Sequence, residues 1–364
     1  MNDQIRKIEC GGIEHANDLR DTRNQILDEL GKLCKMTYSE DSLGNVSVRI
    51  EDSDFVRGDL FYEIGLDASD ATGFYTPFWI KDAEYTVLAD GTKKYNIKGA
   101  EVFNLDQTVS SSLDTDIGGL KALLLARGDH RANYTDIGNN YDNISQSIVM
   151  NVQAEFDQMI HNVTTKINSI LAEVYDPSRG YMCDKDGSPL QLFQKITTDG
   201  YEKVTDAGGN VTWKYAEEDP TRTDTLYTLG NLQVNANLLR EPTMLGFKKA
   251  DGSADYDTTG KLKAAFTEES YTLNPNVLKK TTFVDYYKDL VSQVSNTGYA
   301  FRNIYENQQT TVEATYNARE QIIGVSSEEE LSNMIRFQNA YNASSRYINV
   351  ISELLEHIIS TLAV

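Results

Sequence analysis

The feature that most constrains this chain is an unbroken apolar stripe in residues 325–364. Met334, Phe337, Tyr341, Ser344, Ile348, Ile351, Leu355, Ile358 and Leu362 follow one another at alternating steps of three and four. That is the spacing of a coiled-coil seam. Ser344 alone is neither apolar nor aromatic, and no Pro or Gly interrupts the run. Ser327, with Glu330 three residues later, predicts a capping box at its start. Glu328, Glu329 and Glu330 also suit the positive end of a helix dipole. Fully burying such large apolar side chains is worth about 1.5–3 kcal/mol each. A helix with this face needs another helix, in this chain or another, to lie against. The spacing therefore predicts a chain that holds a neighbour rather than one that turns over a substrate.

Other helices read from the same kind of pattern. Leu19, Ile26, Leu30 and Leu33 form one face of a short helix that Asn17 or Asp18 can cap. A second begins after Gly118-Gly119, over Leu120 to Ala126. A long one runs from about Ile144 to Tyr175 on a face of Ile148, Val152, Phe156, Met159, Val163, Ile167, Ile170 and Val174, and Pro177 ends it. Its eleven-residue repeat, Ile148 to Met159 to Ile170, suits a nearly straight helix. From Thr282 a stripe from Phe283 through Leu290, Phe301 and Ile304 to Ile322 predicts about forty more helical residues, closed by Gly324.

Between them the period changes to two. Val46, Val48 and Ile50 alternate with polar residues, and strands read at Phe78 to Ile80, Tyr85 to Leu88 and Lys94 to Ile97. Asp90-Gly91 is a strong hairpin turn. Farther on, Tyr201 to Thr205 pairs with Val211 to Tyr215 around Ala207-Gly208-Gly209-Asn210, in a stretch from 178 to 275 that otherwise reads as non-helical, with a short helix near Asn235. The expected fold is α+β and multidomain. An elongated helical bundle is built from N-terminal, central and C-terminal helices, with two β-rich inserted domains. The expected division is 1–36, 116–177 and 281–324 for the helical core, 37–115 and 178–280 for the insertions, and 325–364 for an assembly helix.

Charge narrows the function. Across 364 residues, 34 basic against 55 acidic side chains leave a net charge of -21. That argues against a phosphate-facing nucleic-acid surface and against an anionic membrane as partner. No apolar run reaches the length of a transmembrane helix. The opening Met1-Asn2-Asp3-Gln4 lacks the basic and apolar regions of a cleaved leader. Cys10, Cys34 and Cys183 are too far apart for a metal knuckle. None of His15, His130, His161 and His357 stands at zinc spacing, and His161 with Asp157 reads as a surface ion pair. Asp184-Lys185-Asp186-Gly187 is similar to the opening of a calcium loop, but the later ligands are missing and a plain turn is expected. No phosphate-binding glycine motif or nucleophile elbow occurs. No catalytic, cofactor or metal residue is assigned, and a non-enzyme is expected.

The C-terminal helix carries a resemblance. Gly324-Val325-Ser326-Ser327-Glu328-Glu329-Glu330-Leu331, then Asn333-Met334-Ile335-Arg336-Phe337-Gln338-Asn339-Ala340-Tyr341-Asn342-Ala343-Ser344, resembles the C-terminal motif of bacterial flagellar axial proteins. Ala16-Asn17-Asp18-Leu19-Arg20-Asp21, continuing to Leu30, is similar to the Asn-Asp-Leu-Arg-Asp helix of the hook-associated protein 1 family. Asn2 to Lys7, Gly118 to Arg127 and, more weakly, Leu232 to Asn235 resemble further segments of that family.

The resemblance implies a structural, extracellular subunit at the junction of hook and filament, secreted by type III export without a cleaved signal. It implies hook protein and hook-associated protein 3 as neighbours, a homo-oligomeric ring, and an export chaperone on the C-terminal helix. Chaperone and assembly contacts would fall on Met334, Phe337, Tyr341, Ile348, Ile351, Leu355, Ile358 and Leu362. It also implies a long N-terminal helical segment upstream of Met1 as coiled-coil partner. Another flagellar axial protein, hook protein or hook-associated protein 3, remains an alternative. So does a carbohydrate-binding or hydrolysing surface protein acting through its β domains, for which residues 178–275 are the stretch to screen.

Overall fold

The structure is a computed structural model and describes residues 1–12, 14–68, 73–206, 208–324 and 326–362, with Ile323, Thr361 and Leu362 described in backbone only. Ala207 of the expected hairpin turn, Val325 of the C-terminal motif and the terminal Val364 lie outside the described residues, as does the Leu362 side chain. The fold is α+β: about half the chain is helical, several small sheets are present, and the last element is a long helix. The chain divides into two units, Met1–Val294 and Ser295–Val364.

The first unit opens with α1 (Asn2–Glu9) and α2 (Asn17–Leu33). Next come β1 (Met36–Glu40), β2 (Val46–Ile50), β3 (Ser53–Arg57) and β4 (Leu60–Phe61), which form an antiparallel sheet in sequence order. The β1–β2 turn is tied by Asp41, whose carboxylate accepts from the backbone N–H of Leu43 and of Asn45, both at 2.9 Å. This local bonding is why Asp suits such turns. The period-two pattern puts Val46, Val48 and Ile50 on one face. Leu27 of α2 covers the first two, and Leu30, Met36, Phe55 and Val56 seal the edge.

Next along the chain, β5 (Ile64–Ala68) pairs with β6 (Tyr75–Trp79), and β7 (Glu84–Val87) with β8 (Lys93–Asn96). Trp79 joins Cys34, Ile50, Val102 and Phe103 in a neighbouring core. Gly118 has φ +101, and a Cβ there would stand 2.6 Å from Cys34 Cα, so this close approach requires glycine.

The centre of the unit is helical: α3 (Gly119–Arg127), α4 (Tyr134–Asn139), α5 (Tyr141–Ile144) and α6 (Ile148–Glu173). Ser147 caps α6 by accepting from Met150 N. The buried face of α6 departs from the expected stripe. Ile167 and Ile170 are inside, but Ile148 is exposed, and Glu155, Asp157, Thr164 and Asn168 are buried instead. Glu155, Asp157 and Asn168 go inward here because each finds hydrogen-bond partners. Asn168, for example, accepts from Leu192 N at 2.9 Å and donates to the Phe193 carbonyl at 2.8 Å.

After α6 come β9 (Phe193–Gln194), the hairpin β10 (Tyr201–Thr205) and β11 (Val211–Tyr215), β12 (Gln233–Val234), α7 (Ala236–Arg240) and α8 (Tyr256–Ala265). β9 pairs with β12, and Ile167, Leu171, Met182, Leu190 and Leu238 form the core beneath them. The expectation of a non-helical stretch from 178 to 275 fails at α8. That helix has no apolar stripe; Asp255 starts it, accepting from Thr258 N at 3.1 Å. The last helices are α9 (Phe283–Ile323) and α10 (Ser327–Leu362). The first turns of α9 belong to the first unit, where Tyr286 and Leu290 join Leu273, Phe156 and Met159.

Candidate assembly surface

Cap and face together define α10. The side chain of Ser326 accepts from Glu329 N at 3.4 Å, and its carbonyl accepts from Glu330 N at 2.9 Å. The cap is therefore Ser326, one residue before the Ser327 expected from sequence, because the helix takes in Ser327 as its first residue. All three glutamates then lie in the first turn, where the dipole favours them.

Along the helix, Met334, Phe337, Tyr341, Ile348, Ile351, Leu355 and Ile358 share one face by their spacing. All are exposed, from 38% at Ile351 to 74% at Tyr341. Among the described side chains of α10 none is buried. The apolar band is also wider than the seam: Leu331, Ile335, Tyr347, Val350, Leu354 and Ile359 are exposed beside it. Counting apolar residues outside the three–four steps would have found them. Beyond Val294, α9 likewise exposes Tyr299, Phe301, Ile304, Tyr305, Val312 and Tyr316. Large contiguous apolar patches of this kind mark interaction surfaces.

The other candidates from sequence belong to the framework. His161 does not form a surface ion pair with Asp157. Asp157 is buried, and its carboxylate accepts from Leu229 N at 2.6 Å and Tyr134 N at 3.1 Å. Burial pushes its pKa up to about 6. His161 stacks on Tyr134 with ring centroids 3.8 Å apart, its Nδ1 3.5 Å from the Glu218 carboxylate, and burial lowers its pKa. Glu218 also accepts from the Tyr134 hydroxyl and from Tyr227 N. His130 lies between Asp129 and Asp136, which raise its pKa to about 10. The 184–187 stretch is a turn, with Asp184 accepting from Asn235 Nδ2 and Asn237 Nδ2, both at 2.6 Å.

Among the described residues, no group of three His, Cys, Asp or Glu could hold a metal ion, and no helix is long and apolar enough to cross a membrane. The stretch that the carbohydrate alternative invoked does hold a polar cleft of about 1060 Å³ beside Tyr201 and Trp213. Much of its lining is committed internally. Lys195 Nζ donates to the Thr225 carbonyl, Arg222 pairs with Asp224, and Asn237 holds Asp184.

Comparison with known proteins decides the family. The profile described as flagellar hook-associated protein FlgK helical domain matches residues 1–180, and that of the flagellar basal body rod FlgEFG protein C-terminal region matches residues 321–361. Flagellar hook-associated protein 1 of Escherichia coli (strain K12) is 22% identical over 382 residues, covering 99% of this chain and 67% of its own length. The chain belongs to the flagellar hook-associated protein 1 family. The relative of the same name from Salmonella typhimurium is also 22% identical, over 99% of this chain and 68% of its own. That from Bacillus subtilis (strain 168) is 26% identical over 50% of this chain and 36% of its own length. The chain thus spans about two thirds of the enterobacterial family members and about a third of the Bacillus one. Membership makes it a structural component of the flagellum, and the second profile falls on the helix that bears the exposed seam.

Proposed function

We propose that this chain is a structural subunit that joins the flagellar hook to the filament through its terminal helices. The exposed seam of α10, on the segment matched to other flagellar axial proteins, carries the reading. In this account the helices within 1–36, 116–177 and 281–324 make an elongated bundle. Residues 37–115 and 178–280 are inserted domains, and 325–364 is the assembly helix. Hook protein and hook-associated protein 3 are the neighbours, and copies of the chain close a ring. An exposed apolar seam of this size invites aggregation, which supports an export chaperone on α10 before secretion. Export through the type III apparatus then places the subunit outside the cell. The net charge of -21 supports solubility on the way. No substrate is turned over.

The test is incorporation. Ile351→Asp or Leu355→Asp puts a charge on the seam at a site that touches no core. Flagella isolated from the native bacterium carrying either variant should lack the subunit, while the purified variants unfold at the wild-type temperature. Normal incorporation of both would remove the seam from the assembly mechanism.

A further inference from the structure

Glu155 is fully buried on α6, and among the described residues its carboxylate accepts from side-chain amides. Asn274 Nδ2 donates to it at 2.7 Å, and Gln293 Nε2 reaches both oxygens at 3.0 and 2.8 Å. Its backbone carbonyl accepts the Tyr286 hydroxyl at 2.8 Å. Gln293 and Tyr286 lie on the first turns of α9, and Asn274 on the segment leading into it. No cation stands among these partners, although a buried charge ordinarily needs one.

A second observation bears on the proton. Asn151, one turn before Glu155 on α6, has a buried side-chain oxygen with no hydrogen-bond partner. Its amide lies within reach of both Glu155 and the Tyr141 hydroxyl. A carboxylate can only accept; a neutral carboxyl carries one O–H to donate. Protonating Glu155 thus removes a buried charge that no cation compensates. Ionising it restores that charge.

We propose that Glu155 is a proton-operated latch that holds the first turns of α9 on α6 and loosens as its carboxyl ionises. The titratable groups facing it are Tyr141 on α5 and Tyr286 on α9, and burial holds both hydroxyls above the ordinary phenol value. Both stay neutral through the range in which a carboxyl titrates. Burial likewise raises the Glu155 pKa, against the opposing hydrogen bonds. The latch is independent of the junction reading, since it concerns contacts within residues 1–294.

Hydrogen exchange on the full chain, followed at residues 286–293, reads the latch. The opening constant should climb by up to about tenfold per pH unit above the ordinary glutamate value of 4.5, because one proton is lost on opening. Glu155→Gln should abolish that slope, and Asp157→Asn should leave it in place. A flat wild-type profile, or a slope that survives Glu155→Gln, overturns the proposal. Isotope-edited infrared titration of the wild-type carboxyl needs no variant to fold. A midpoint above 4.5 is expected, and one at or below it overturns the proposal.

Discussion

Two long helices of this molecule look alike in sequence and behave differently in structure. Both α6 and α10 carry apolar residues at steps of three and four. On α6, Ala154 and Leu171 are almost wholly buried, and polar residues on the inner face have fixed partners: Asp157 holds two backbone N–H groups, and Asn168 holds two more and one carbonyl. On α10 no described side chain is buried, and the band has no polar anchor comparable to these. A helix enclosed by its own chain has its surroundings written into it as individual hydrogen bonds. A helix with a bare repeating seam has only a spacing written into it, which any helix of matching spacing can cover.

The largest expected effects test that contrast directly. Seam aspartates on α10 should abolish incorporation yet leave unfolding of the purified chain within about 0.5 kcal/mol of wild type, as for exposed sites generally. Leu171→Ala on α6 should do the opposite kind of damage. Leu171 is 1% exposed among Met182, Leu190 and Leu238. Its truncation should cost about 2–5 kcal/mol in a urea titration. A seam variant that destabilised the chain as much as Leu171→Ala would erase the distinction between the two helices.

The sequence made the helices legible, because periodicity over many turns is a strong signal. The α6 reading, 144–175, fell within a few residues of Ile148–Glu173, and the 201–205/211–215 hairpin matches its strands residue for residue. The inward polar residues were not legible. Glu155 and Asp157 are buried by segments more than seventy residues away, around Leu229 and Asn274, and no local pattern records such meetings. His161 was misread for the same reason: Asp157 is its neighbour along the helix, but Glu218 is its neighbour in space. On α10 the seam was legible, but the width of the band was not, since a search for three–four steps passes over Ile335, Val350 and Leu354.

A smaller effect sharpens the α6 side of the comparison through pH. Asp157 has its pKa raised from 3.8 to about 6 by burial. The native state therefore holds this proton longer than the unfolded chain does. Its contribution is fully present below pH 3.8 and is lost as pH rises through about 6. The loss is on the order of 3 kcal/mol. His161 runs the other way: its lowered pKa contributes stability present above 6.5, lost as pH falls. Urea midpoints of wild type and Asp157→Asn, whose amide stays neutral, should separate as pH rises through this range, with the wild type falling. Parallel curves would mean that Asp157 stays ionised in its buried site.

The smallest effect belongs to the cap of α10. Ser326 Oγ at 3.4 Å from Glu329 N is a long hydrogen bond at an exposed helix end. Ser326→Ala should therefore cost about 0.5–1 kcal/mol, at the low end for a cap. Because no described side chain of α10 is buried, that loss has no tertiary packing to hide behind. It should appear as faster hydrogen exchange at Glu329 and Glu330 and fade within the next turns. Exchange that accelerates all the way to Ile358 would show that α10 melts as one unit from its cap. In that case the seam is a poorly formed helix until a neighbour covers it, and the contrast with α6 lies in folding as well as in burial.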